Sequence, residues 1–257
     1  MASSPTPPRV KGLNCPNCGA GIELRGLGRS VSVVCIQCLS VIDAQDPSLK
    51  IIQQFTAKER VMPKIPLGAR GKLHGAVYEV IGFQVRAIEV DGVEYAWHEY
   101  VLFNPYKGYR YLSEYQGHWN DIVVLKAIPQ STTSRGSAAA SYLGATYRHF
   151  QTAQAKTSYV MGEFPWRVEV GDVVEASDYV APPRMLSSES AGNEITWSLG
   201  EYMAGAQVWQ AFGLQGHAPP AIGVFANQPS PYAGKPGRIW RTCILLMILL
   251  FSLMLGF

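Results

Sequence analysis

Long amphipathic helices are missing from this chain of 257 residues, and that absence bears on its fold class. From about Leu67 to Phe225 short segments rich in Val, Tyr, Trp and Phe follow one another without a dozen-residue helical pattern between them. This excludes a doubly wound or barrel α/β fold and predicts a mainly β protein. Charge of one sign is missing as well: 22 basic residues stand against 19 acidic ones, scattered along the chain, for a net charge of +3. A basic footprint for nucleic acid or a bare lipid surface is therefore absent. Familiar catalytic signatures are absent too: there is no Gly-x-Ser-x-Gly elbow, no Gly-x-x-x-x-Gly-Lys-Ser/Thr loop and no Gly-x-Gly-x-x-Gly. Five cysteines leave no pair for a structural disulfide, since four sit in Cys-x-x-Cys pairs and Cys243 lies in an apolar run. A reducing compartment fits that usage. Residues 1–11, rich in Ser, Pro and Thr, lack the apolar core of a secretory signal and read as a disordered start in the cytoplasm.

What is present begins with Cys15-Pro16-Asn17-Cys18 and Cys35-Ile36-Gln37-Cys38, separated by sixteen residues. Two such knuckles offer four thiolates to one tetrahedral ion, so Cys15, Cys18, Cys35 and Cys38 are the predicted ligands of a zinc ribbon spanning 12–45. Ile22 and Leu24, then Val31 and Val33, alternate with polar neighbours as the hairpin of such a ribbon would. A unit this small buries too little surface to fold alone, and zinc would supply its stability. Gly19 suits the left-handed turn after the first knuckle, whereas Leu39 occupies the matching place after the second.

Asp46-Pro47 before Leu49, Ile51, Ile52 and Phe55 predicts a short helix within a connector spanning 46–66. The β domain follows over 67–226, with Asp91-Gly92 marking a tight hairpin. Three echoes at an offset of 78 to 81 residues point to an internal duplication: Tyr78 to Gly82 with Tyr159 to Gly162, Gly92 and Glu99 with Gly171 and Asp178, and Trp119 with Trp197. The copies would cover about 67–130 and 141–226 and form a barrel or a sandwich. A Pro/Gly-rich linker over 227–238 leads to an apolar run at 239–257, read as a C-terminal transmembrane helix with the basic flank Lys235, Arg238 and Arg241 on the cytoplasmic side.

Two carboxylates at echoed positions, Glu99 and Asp178, are the candidates for an acidic cleft between the copies, with His118, Trp119 and Trp197 as further lining. His98 does not join Glu99, because neighbours on a strand point to opposite faces.

The chain resembles bacterial proteins carrying the domain of unknown function numbered 4178. The resemblance rests on Gly75, Tyr78, Val80 and Gly82, on Trp97 to Leu102, on Gly117-His118-Trp119, and on Gly162 to Trp166 with Gly171-Asp172. It implies a cytoplasmic β domain attached to membrane segments, at times behind a zinc ribbon, and it brings no catalytic residue. The leading expectation is a non-enzymatic adaptor at the bacterial inner membrane, its N-terminal domains in the cytoplasm, binding a partner protein or a small ligand. The rivals are an unrecognised enzyme using Glu99 and Asp178, and nucleic-acid binding through the ribbon.

Overall fold

A computed structural model describes residues 11–26, 28–57 and 60–230, together with Ile244 and Met247. Residues Met1–Asn227 form one compact unit and Gln228–Phe257 a second.

The first knuckle is flanked by β1 (Lys11–Asn14) and β2 (Gly21–Leu24), the second by β3 (Ser32–Val34) and β4 (Ser40–Asp43), followed by β5 (Ile51–Gln54). The connector expected to be helical holds β5 and no helix among its described residues. Asp46 does not cap a helix: it closes a turn, accepting bonds from the Ser48 N–H and hydroxyl, after which the β-branched pair Ile51-Ile52 extends alongside β4.

Then come β6 (Arg70–Leu73), β7 (Ala76–Val90), β8 (Val93–Asn104), β9 (Gly108–Tyr115) and β10 (His118–Val124). After the hairpin β11 (Gln130–Ser134) and β12 (Ser137–Tyr142) follow β13 (Ala145–Phe164), β14 (Val173–Ala181), β15 (Arg184–Ala191) and β16 (Glu194–Ala204). One helix runs through consecutive described residues, α1 (Gly205–Phe212), capped by the Gln207 side chain on the Ala204 N–H and stopped by left-handed Gly213. Two-residue turns with positive φ join several of these strands, Asp91-Gly92 among them.

β7 to β10 form one antiparallel meander and β13 to β16 another. β7 pairs with β13 and β10 with β16, which closes an eight-stranded barrel. At one seam Gly82 lies opposite Gly162, and each needs its missing side chain: a Cβ on Gly82 would come within 2.2 Å of the Glu163 carbonyl. Counting from the turns gives a different correspondence from the sequence echoes. Next to the turn-closing pairs Asn104–Gly108 and Ala181–Arg184, Phe103 faces Tyr109 in β8–β9 and Val180 faces Met185 in β14–β15. Two residues back from these lie Val101 and Asp178, so the position matching Asp178 is Val101 rather than Glu99.

The ribbon is an extension of the barrel wall. β3 pairs with β13 at Gly162–Phe164, beyond the reach of β14, and carries β4 and β5 with it. Glu163, only 2% exposed, fastens the junction by accepting bonds from the Arg25 N–H (2.5 Å), the Gly26 N–H (3.0 Å) and the Ser30 hydroxyl (2.6 Å).

The expected C-terminal transmembrane helix is corrected. Among the described residues no helix is long and apolar enough to cross a membrane. The run 239–257 lies outside them apart from Ile244 and Met247. Embedding through that helix, and the inner-membrane location inferred from it, lose their support. The start at 1–11 and most of the linker over 227–238 also fall outside the described residues.

Candidate metal centre and barrel interior

Each knuckle folds by the same backbone bonds. The Gly19 N–H donates to the Cys15 carbonyl and the Leu39 N–H to that of Cys35, both at 2.9 Å, and Gly19 and Leu39 both take positive φ. Leu39 accepts the conformation that Gly19 adopts freely, a cost of about 1–2 kcal/mol. The ligand atoms of Cys15, Cys18, Cys35 and Cys38 all lie within 4.8 Å of one another. Cys15 and Cys38 sulfurs are 3.6 Å apart, those of Cys18 and Cys35 3.7 Å. A tetrahedral ion with metal–sulfur bonds of about 2.3 Å requires edges of about 3.8 Å, so the cluster fits a zinc-ribbon-like motif. Burial drives the Cys35 thiol up to about 12. At Cys38 burial acts in the same sense, but hydrogen bonds from Ser40 and Asn17 outweigh it and bring the thiol down to about 6.

The second cluster lies on the barrel wall. Residues directly opposite in a ladder share a face. Gln84 faces Glu99, Arg86 faces Trp97 and Thr157, Asp178 faces Gln151 and Ser187, and Glu189 faces Ala176. The face to which they belong is the inner one. The Arg86 Nη1 meets the Glu189 Oε1 at 2.5 Å although β13 and β14 stand between β7 and β15. At about 4.8 Å per strand that separation is far too great along the wall, so the pair spans the interior.

Arg86 is 7% exposed in its side chain, while Glu99 (23%) and Glu189 (39%) remain reachable by solvent. Glu99 accepts from Gln84 Nε2 and from Trp97 Nε1, both at 2.6 Å, and lies 3.5 Å from Arg86. Asp178 accepts from Ser187 (2.7 Å) and Gln151 (3.1 Å). Burial pushes the Glu189 carboxyl up; Arg86 opposes this, and the charges of Glu99 and Asp178 add to it.

The other predicted residues separate. His118 is buried at one end of the inner face, bonded to the Tyr202 hydroxyl and the Ile222 carbonyl and stacked on Phe225. Trp119 lies on the outer face, packed between Tyr100 and Trp209 of α1. Trp197 is in another outer cluster, against Tyr179. Sequence reasoning missed Arg86, Gln84 and Glu189. The signal for the first two was present: polar residues at every second place in the apolar segment Phe83 to Ala87. Also missed was an outer cleft of about 560 Å³ lined by Lys72, His74, Asp121, Glu201 and Gln207 among others. In it buried Asp121 is held by Arg110 and meets His74 Nε2 at 2.5 Å.

The family model for a domain of unknown function, DUF4178, matches residues 66–205. The chain belongs to the DUF4178 family. That match takes in the whole of β6 to β16 and leaves the four-cysteine segment outside. No curated protein and no solved structure matches the chain.

Proposed function

We propose that this DUF4178 protein is a non-catalytic binding protein whose barrel, built from two copies of one meander, holds a small ligand in its interior, and whose four-cysteine segment is a structural zinc clip. The observation that carries the ligand site is the interior network: a buried guanidinium and three carboxylates, with Glu99 and Glu189 still open to solvent. A barrel meant only to be stable would fill that space with apolar side chains, since buried charge is costly. Glu99 and Asp178 each have both oxygens engaged by neutral donors, which favours holding a ligand over the acid–base role.

Zinc is assigned from the donor set, because four thiolates in tetrahedral spacing select zinc over harder cations. β3 to β5 are committed to the barrel edge, so the clip reading is favoured over a free docking face. Metal analysis of the purified chain should return one zinc per chain, and Cys18→Ser should lower that content and the melting temperature together.

The ligand reading is tested by thermal-shift screening of the chain against small charged and neutral compounds, beside an Arg86→Met variant with intact circular dichroism. A shift in the wild type that the variant loses is expected; no shift with any compound removes the reading.

A further inference from the structure

The group of side chains around Arg86 has a charge imbalance. Glu99, Asp178 and Glu189 supply three negative charges when ionised and Arg86 supplies one positive, so three minus one leaves two unmatched. The Arg86 pairing engages Oε1 of Glu189, and 39% of that side chain faces solvent. A second observation is independent of the carboxylates. The Nε–H of Arg86, a residue 5% exposed, has no hydrogen-bond partner. An unmet buried donor calls for an acceptor from outside the wall.

These two features specify different parts of one guest. Surplus negative charge calls for a cation, and the Arg86 Nε–H calls for an oxygen. That oxygen must be neutral, because a carboxylate there would meet Glu99 and Glu189, and a zwitterion would leave the charge excess in place. An inorganic cation is poorly served. Calcium and magnesium need several converging oxygens, whereas those of Glu99 and Asp178 are taken by Gln84, Trp97, Gln151 and Ser187. Among the described residues the four cysteines are the one group of His, Cys, Asp and Glu side chains close enough to share a metal.

Resting on the reading of the interior as a ligand site, we propose that its ligand is a small organic ammonium ion that also carries a neutral oxygen acceptor, the ammonium bonded to Glu189 with Asp178 adding its charge but no bond, and the oxygen on the Nε–H of Arg86. Trp97, whose ring lies 5.8 Å from the Arg86 guanidinium, supplies an aromatic face for the adjoining methylenes.

The experiment is calorimetric titration of the full metal-loaded chain with ethanolamine, set beside ethylammonium, ethylene glycol, glycine and magnesium chloride. Ethanolamine should bind at least about tenfold more tightly than any of the others, a difference of about 1.4 kcal/mol. Asp178→Asn should weaken ethanolamine about tenfold, and Arg86→Lys, which lacks the Nε–H, should reduce it to the level of ethylammonium, both variants being checked for unchanged melting without ligand. Tightest binding by glycine, ethylene glycol or magnesium would overturn the ligand class while leaving an interior site. Binding of ethanolamine that neither variant weakens would place it elsewhere on the protein and overturn the proposal. If none of the probes binds, the class is wrong, and the broader screen above then decides whether the interior site falls with it.

Discussion

The two faces of the barrel wall, made by alternate residues of the same strands, are built from different chemistry. Outward, β8 to β10 present Tyr100, Leu102, Leu112 and Trp119, all buried beneath α1 and the segment around Ile65. Inward, strands of the same barrel present Arg86, Glu99, Asp178 and Glu189. In many small barrels the core is inside. Here much of the apolar packing lies on the outside of the wall, under its coverings, and part of the interior is left to polar groups. The division teaches that stability and ligand holding can be assigned to separate atoms of one strand.

Substitutions on the two faces should therefore act differently, and the outer face should show the largest effect. Trp119→Ala removes a fully buried indole from between Tyr100 and Trp209 and should cost about 3–5 kcal/mol in denaturant unfolding. If it costs under about 1 kcal/mol, the outer face is not the core. Next comes the junction with the ribbon. Glu163→Ala strands the N–H groups of Arg25 and Gly26 and the Ser30 hydroxyl, and should cost about 2–3 kcal/mol by the same measurement.

The outer face also contains ionic ties, and removing the one at Glu114 by acid tests whether charge can serve structure there. Burial alone would raise the Glu114 carboxyl, yet bonds from His98, Lys64 and the Gly117 N–H bring it down to about 2. Its folded value is below its unfolded one, so its contribution is complete above about pH 4.5 and is lost as pH falls towards 2. Wild-type stability should drop by up to about 3 kcal/mol across that window, and Glu114→Gln should flatten the drop. The smallest effect belongs to the inner face: Glu99→Gln keeps an acceptor for Trp97, and Gln84 can turn its amide to accept from the new NH2, so stability should change by under about 1 kcal/mol. A large loss there would erase the distinction between the faces.

The parts of this fold that the sequence displays are the local ones. The four cysteines meet because each knuckle is a five-residue turn with its own hydrogen bonds, and the Asp91-Gly92 hairpin is likewise set by two residues. Longer-range features were legible only in outline. Two meanders are visible as two runs of strands, but the echoes linked Glu99 with Asp178 and Trp119 with Trp197, while the ladders match Asp178 to Val101. The misalignment by two residues keeps the same face, which is why Glu99 and Asp178 still both point inward. β5 was misread because Leu49, Ile51, Ile52 and Phe55 suit a helix by spacing, and the pairing with β4 that decides the matter is tertiary. Arg86 and Glu189 are 103 positions apart, and no spacing rule brings them together.

The pairing of β3 with the end of β13 has a further consequence, for solubility. Beyond Lys156 that strand has outrun β14, and without the ribbon the backbone of Gly162 to Phe164 would be a bare sheet margin, open to pairing with another chain. The segment that supplies this cover also contains the four sulfurs grouped closely enough to hold a metal ion. If a metal at the four cysteines keeps that segment folded, stripping it should leave the edge unguarded, and self-association of the stripped chain would report the loss.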